Sequence, residues 1–201
     1  MREGRLILAI NGSYRRTGAV AKLVEAAAAA AEGAGARVHR IDLVDQDIAF
    51  CRNCRACTQE PGAAPGRCVL EDDMWGIIER IEAAEGLIIG APVNFFNINA
   101  LTRRFMERLV CYADWPWGRA APKYRKSKRT KRAVLISTSA APAFIGRWVY
   151  GATGALKLLA RTVGARPIGK VWAGLVCVEA DARVGRRALA QAERLGRKLA
   201  R

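Results

Sequence analysis

Apolar residues fall into five short runs separated by stretches of helical periodicity. RLILAIN (5–11), GLIIGAPV (86–93) and AVLISTS (133–139) are near-continuous apolar runs of strand length. Such runs suit strands buried on both faces of a parallel sheet. ARVHRIDL (36–43) alternates like a strand, and IGKVWAGLVCV (168–178) completes the set. From about Gly18, Val20, Leu23, Val24, Ala27 and Ala31 recur at helical spacing, until Gly33 and Gly35 stop the helix. A second helix is expected at 73–84, capped by Asp72 or Asp73, with Ile77, Ile78 and Ile81 inward. A third, at 98–111, buries Leu101, Phe105, Leu109 and Cys111. The last two are expected at 146–163 and 181–200, the latter with Ala188, Ala192, Leu195 and Leu199 as its stripe. Strands alternating with helices predict an α/β three-layer sandwich, a parallel sheet with helices on both faces. Ligands of such sheets bind beyond the carboxyl ends of the strands.

A length of 201 residues suits a single domain over 1–201. It carries a cysteine-rich loop insertion at 50–70 and a basic loop at 112–132. A hydrophobic fraction of 51% excludes a mainly disordered chain. No apolar run approaches the ~20 residues of a membrane span. The start, MREGRLILAINGS, has too short an apolar run for a secretory signal, so a cytoplasmic protein is expected.

The formal charge of +16 is uneven. Residues 119–132 hold eight Lys/Arg and no acid, and residues 183–201 hold seven with one glutamate. The remainder is close to neutral. KYRKSKRTKR (123–132) admits three readings: a solvated loop, attraction of an anionic partner, and nucleic-acid binding. Pattern alone favours the first and disfavours the last.

Three turns at strand ends carry chemistry. After the first strand comes NGSYRRTGAV, with hydroxyls at Ser13 and Thr17, cations at Arg15 and Arg16, and Gly18 at a helix start. That is a plausible phosphate cradle, because the free N–H groups of a helix start favour an anion. After the third strand, Pro92, Asn94, Phe95, Phe96, Asn97 and Asn99 crowd together. They read either as a wall for a flat heteroaromatic ligand or as core packing and turn residues. After the fourth strand comes STSAAPAF.

Together these turns resemble the flavodoxin-like NAD(P)H-dependent FMN reductases and the related iron–sulfur flavoproteins. That group carries a GSxRxxGNT-like turn, an SPVYFGN-like turn and a CVxxDDM-like run. The matching stretches here are GSYRRTGAV, APVNFFN and CVLEDDM (68–74). Ala19-Val20 replaces the usual Asn-Thr pair, and Asn94 the usual tyrosine. The resemblance implies a flavodoxin-like sheet of strand order 2-1-3-4-5. It implies FMN, its phosphate on Ser13, Arg15, Thr17, Gly18, Ala19 and Val20. The ring would lie against Pro92, Val93, Asn94, Phe95, Phe96 and Asn97, with Ser137, Ser139 and Ala140 near the pyrimidine edge. Asn94 leaves the ring short of an aromatic neighbour unless Phe95, Phe96 or a tryptophan supplies one. Related reductases are commonly homodimers or homotetramers.

Cys51, Cys54, Cys57 and Cys68 read C-x2-C-x2-C-x10-C. Three readings stay open: a [4Fe–4S] cluster, zinc, and unligated thiols. Cys111 and Cys177 read as buried small hydrophobes, Cys177 in mid-strand. His39 reads as structural. Trp115 and Trp117 read as loop packing or an oligomer contact, or as a cover over flavin.

The function expected is an oxidoreductase that takes hydride from NAD(P)H onto FMN and passes electrons to a small acceptor such as a quinone or flavin. No acid–base pair is needed, since the cofactor carries the chemistry. The alternative is an electron carrier with FMN plus a cluster, serving a redox protein. The weakest reading is a module without flavin that binds an anionic partner.

Overall fold

The computed structural model describes residues 4–177 and 183–201, apart from the side chains of 147–149. Val178 of the expected fifth strand and residues 181–182 of the expected last helix lie outside the described residues. The strands are β1 (Leu6–Asn11), β2 (Arg37–Asp42), β3 (Gly86–Asn94), β4 (Asn97–Ile98), β5 (Ala113–Asp114), β6 (Lys123–Tyr124), β7 (Lys131–Thr138) and β8 (Ala165–Ala173). The helices are α1 (Ala19–Glu32), α2 (Met74–Ala83), α3 (Ala100–Arg108), α4 (Ala143–Val149), α5 (Ala152–Thr162) and α6 (Arg186–Ala200).

Five strands pair in parallel in the order β2-β1-β3-β7-β8. Counted along the chain, that is the expected 2-1-3-4-5. One core lies under α2, α3 and α5, the other under α1 and α6. The alanine run 26–31 lets α6 approach α1 closely. A Cβ on Gly196 would stand 2.0 Å from Ala27 O. Phe105 and Leu109 are fully buried, worth roughly 1.5–3 kcal/mol each.

Several boundaries differ from the sequence reading. The fourth and fifth strands begin earlier, at Lys131 and Ala165. The fifth stops at Ala173, because Gly174 runs too close to Ala143 and Leu175 turns left-handed (φ 58°). The helix expected at 146–163 is two helices, broken at Tyr150–Gly151. The third helix tightens after Arg108 into a 3-10 turn over Leu109–Tyr112. Among the described residues no helix is long and apolar enough to cross a membrane.

Phe95 and Phe96 are not core residues. They form the two-residue loop of the β3–β4 hairpin, both left-handed (φ 47° and 67°). A hairpin this tight demands that backbone and is usually built from Asn and Gly. Both rings point outward, 97% and 63% exposed. Phe96 packs edge-on against Tyr150, ring centres 5.5 Å apart.

Candidate functional site

At the carboxyl edge of the sheet β1 ends with Asn11 beside both Asp42 and Gly90, β7 ends with Thr138 beside Pro92, and β3 runs past both to Asn94. Above them lies a cavity with about 780 Å³ of empty space, its open mouth included.

The first turn is tied down by α3. Asn99 caps that helix, its side-chain oxygen accepting from Thr102 N (3.2 Å), while its Nδ2 donates to Gly12 O (2.7 Å). Gly12 N donates to Gly90 O (2.8 Å). A Cβ on Gly12 would meet Thr102 Oγ1 at 2.1 Å, so glycine is required here. Asn11 bonds Asp42 through Nδ2 (2.6 Å) and accepts from Ser13 N (3.1 Å). The Ser13 hydroxyl is engaged within the turn, donating to Arg15 O (3.1 Å) and accepting from Arg15 N (3.0 Å). Helix α1 then starts at Gly18 with no side chain capping it. Its free first-turn N–H groups sit where an anion would be bound.

Ten expected residues line this cavity: Ser13, Arg15, Gly18, Ala19, Val20, Pro92, Val93, Asn94, Ser139 and Ala140. Five do not. Thr17 is exposed outside it. Ser137 is buried beneath it, its hydroxyl donating to Ala91 O (2.8 Å). Phe95, Phe96 and Asn97 sit on the outer hairpin, where Asn97 Oδ1 accepts from Ile98 N (2.8 Å). Arg16 turns away to pair with Asp45.

Sequence reasoning missed Tyr14, Thr138, Val176 and Cys177, which also line the cavity. Tyr14, rather than Phe95, Phe96 or a tryptophan, is its aromatic wall, fixed where its hydroxyl oxygen accepts from Leu101 N (3.1 Å). Its place between Ser13 and Arg15 was the available signal. Cys177 is exposed in the turn after β8, not buried in mid-strand. Among the described residues no acidic side chain lines the cavity.

A second pocket, with about 420 Å³ of empty space, its open mouth included, is lined by all four spaced cysteines together with Arg108. Left-handed backbone at Asn53 and Arg55 (φ 53° and 60°) folds the chain tightly around Cys54, and Asn53 N reaches Cys51 Sγ at 3.4 Å. Arg108 is buried in an ion pair with Asp72, which also accepts from Ala49 N (2.9 Å). Its Nη2 lies 3.5 Å from Cys68 Sγ. Burial would raise the Asp72 pKa, but the Arg108 guanidinium and the neighbouring N–H groups hold it below the usual carboxylate range. Burial, reinforced by the other three cysteines, pushes the Cys57 thiol up to about 11. Cys111 is buried as expected, and burial pushes it up to about 12. The thiols share a pocket, but among the described residues no three such donors are close enough to hold an ion.

Two arginines hold this loop. Arg125 is 7% exposed and has five carbonyl partners. Its Nε donates to Cys111 O (3.0 Å) and Ala113 O (3.1 Å), Nη1 to Gly62 O (3.1 Å), and Nη2 to Cys57 O (3.3 Å) and Glu60 O (2.7 Å). Arg55 lies between the rings of Trp115 and Trp117, 3.8 and 4.1 Å from their centres, and donates to Trp115 O (2.6 Å). The tryptophans therefore pack the cysteine loop and do not line the strand-end cavity. His39 is exposed on the edge strand β2.

Residues 6–175 match the NADPH-dependent FMN reductase family. The chain belongs to that family. It is similar to an iron-sulfur flavoprotein of Archaeoglobus fulgidus, 30% identical over 107 residues, 53% of this chain and 46% of that one. The iron-sulfur flavoprotein of Methanosarcina thermophila is 32% identical over 104 residues, 52% of each chain. The chain spans about half the length of the curated relatives it matches. Among solved structures, an NAD(P)H:quinone oxidoreductase from Methanothermobacter marburgensis superposes with a TM-score of 0.70 at 20% identity, covering 98% of this chain and 99% of that one. At that identity the likeness shows the fold.

Proposed function

We infer that this FMN reductase family member binds FMN at the strand-end cavity and works as an NAD(P)H-dependent oxidoreductase. The observation that carries the reading is the uncapped start of α1 opening onto a cavity that no acid lines among the described residues, at the place where a parallel sheet binds ligands. The residues fit the group. First-turn N–H groups and Arg15 favour a phosphate, and small side chains at Gly18 and Ala19 leave room for it. Pro92–Asn94 on one side and Thr138–Ala140 on the other form walls suited to a flat ring. FMN supplies hydride acceptance and electron release, so the protein needs only to orient it and shield it. The open mouth leaves space for a nicotinamide and then for a small acceptor such as a quinone. The outward Phe95 and Phe96, with Phe144 66% exposed, supply the apolar surface that a homodimer or homotetramer would cover.

A second function is favoured by one observation: four cysteines from two stretches line a single pocket. We read that pocket as the seat of a [4Fe–4S] cluster, in a protein that passes electrons from flavin to a redox partner. Cys51, Cys54, Cys57 and Cys68 would supply the thiolates, with Arg108 as a nearby cation, and ligation would have to draw the sulfurs closer together than they stand here. Protonated Cys57 would have to lose its proton on ligation.

The test is a titration of FMN-free protein with FMN, followed by anaerobic NADPH. Stoichiometric binding at micromolar protein and rapid bleaching are expected of the reductase. Bound flavin inert to NADPH but reduced by ferredoxin assigns the carrier role. No binding at micromolar protein overturns both. Gly12→Ala must displace the turn and is expected to weaken FMN about tenfold, roughly 1.4 kcal/mol. An unchanged affinity would move the cofactor away from this turn.

A further inference from the structure

Residues 115–178 are 64 consecutive residues with thirteen Lys/Arg and no Asp/Glu. The structure divides these cations. Arg119 pairs with Asp114, and Lys126 with Glu82. Lys131 donates to Glu82 O (2.8 Å) and Ala84 O (2.7 Å) at the end of α2, and Arg125 is the buried clamp described above. These four serve the fold, so half of the eight cations in the basic loop are not a solvated face.

Three others converge. Arg129, Lys157 and Arg161 line one open hollow with about 850 Å³ of empty space, mouth included, and among the described residues no acid lines it. The loop reaches α5 because Gly164 (φ 76°) has no side chain. A Cβ there would meet Lys126 Cβ at 3.1 Å, and Lys131 N donates to Gly164 O (3.2 Å). Arg161 is steadied over the Tyr124 ring, 4.9 Å from its centre. Arg129, Lys157 and Arg161 are exposed, and among the described residues none of the three has an ion pair. Exposed Arg166 extends the positive surface along β8 beside Arg132. Like charges set side by side on neighbouring strands are destabilising without an anion between them.

We propose that this hollow binds the phosphodiester backbone of a nucleic acid. The hollow opens at the amino ends of β7 and β8. The FMN cavity lies at their carboxyl ends, about eight residues or roughly 26 Å away along the strand, so the hollow cannot assist NADPH at the flavin. Edge protection accounts for Pro167 and Arg166 on the outer strand but not for cations on a loop and a helix. The surface extends beyond one phosphate, which points to a polymer. A protein partner is the weaker fit, because protein interfaces have an apolar centre with few charges, and here exposed Leu158 and Pro167 are set among three cations, with Tyr124 beneath Arg161. Nucleic-acid interfaces are polar and strongly positive. The proposal does not depend on the flavin reading, since the two sites share no residue.

The test is fluorescence anisotropy of a labelled single-stranded oligothymidylate with the full-length protein over a salt series. Micromolar or tighter binding that weakens steeply with salt is expected. Replacing Arg129, Lys157 and Arg161 together by Gln should flatten the log–log salt slope by about 2, at about 0.7 per phosphate contact. It should weaken binding at least tenfold and leave FMN binding intact. A control with the same charge change, Arg186, Arg187 and Arg194 of α6 to Gln, should leave the slope unchanged. Lys157→Glu alone should weaken binding more than Lys157→Gln. Absence of binding, equal loss in pocket and control variants, or equal affinity for polyglutamate would each overturn the proposal.

Discussion

At the strand-end cavity, position is set by the sheet. Asn11, Pro92 and Thr138 arrive there because β1, β3 and β7 are paired in parallel register at their carboxyl edge, and short bonds from Asn99 and Gly12 finish the turn. Of the helices and strands named above, only the end of α3 at Arg108 reaches the cysteine pocket. The pocket rests on Arg125, Arg55 and Arg108, cations drawn inward to satisfy carbonyls, tryptophan faces and one carboxylate. One cavity is inherent in the fold; the other depends on a polar scaffold that a few side chains supply. The two should therefore fail independently.

The largest break in that comparison is Arg125→Met. Removing the guanidinium takes a donor from five carbonyls of 57–62 and 111–113, of which Cys111 O keeps Gly66 N (2.9 Å). An unsatisfied buried acceptor costs about 1–3 kcal/mol, and water will repair part of the loss, so a destabilisation of at least about 3 kcal/mol is expected. Urea unfolding measures it. Hydrogen exchange should rise in 56–66, while FMN affinity stays at the wild-type value. A fall in FMN affinity as large as the fall in stability would show that the two pockets are one cooperative unit.

Next is the Asp72–Arg108 pair. Asp72 has a lowered pKa when folded, so it adds stability above its unfolded value near 4, lost as pH falls through the folded value. Asp72→Asn should be less stable at neutral pH by about 3–5 kcal/mol, because Arg108 stays buried without its counter-charge. The variant should also lose less stability than wild type between pH 5 and more acid values, about the window in which a depressed carboxylate titrates. Parallel acid curves for the two proteins would remove Asp72 from the acid response.

Much of this was legible in the sequence, and the failures have identifiable physical causes. Apolar spacing gave α1, α2 and the core face of α6, because burial and periodicity are the same fact there. Strand order followed from the resemblance in the turns. Phe95-Phe96 misled because left-handed hairpin residues are usually announced by Asn or Gly, and no side-chain pattern marks a Phe pair forced outward. Arg125 was hidden in a run of cations. A carbonyl-solvated arginine has no sequence partner to betray it, unlike one paired with an acid. The cysteine spacing located the pocket but not its closure, since sulfur separation depends on loop backbone that spacing does not encode.

Cys177 gives the finest test, because it distinguishes the pockets by one atom each. The strand was expected to run through it, which would have buried it. Instead Gly174 and Leu175 end the strand and bring the thiol to the rim of the strand-end cavity. Cys54, also exposed, lies in the other pocket. Bound FMN should cover the first thiol and leave the second open. Iodoacetamide labelling followed by peptide mass spectrometry should therefore show Cys177 slowed severalfold by FMN, with Cys54 labelled at the same rate either way. Buried Cys111, whose thiol is held protonated by its surroundings, should label last in both samples. Slowing at Cys54 instead would place the flavin against the cysteine loop, and equal rates at Cys177 would leave the strand-end cavity without its ligand.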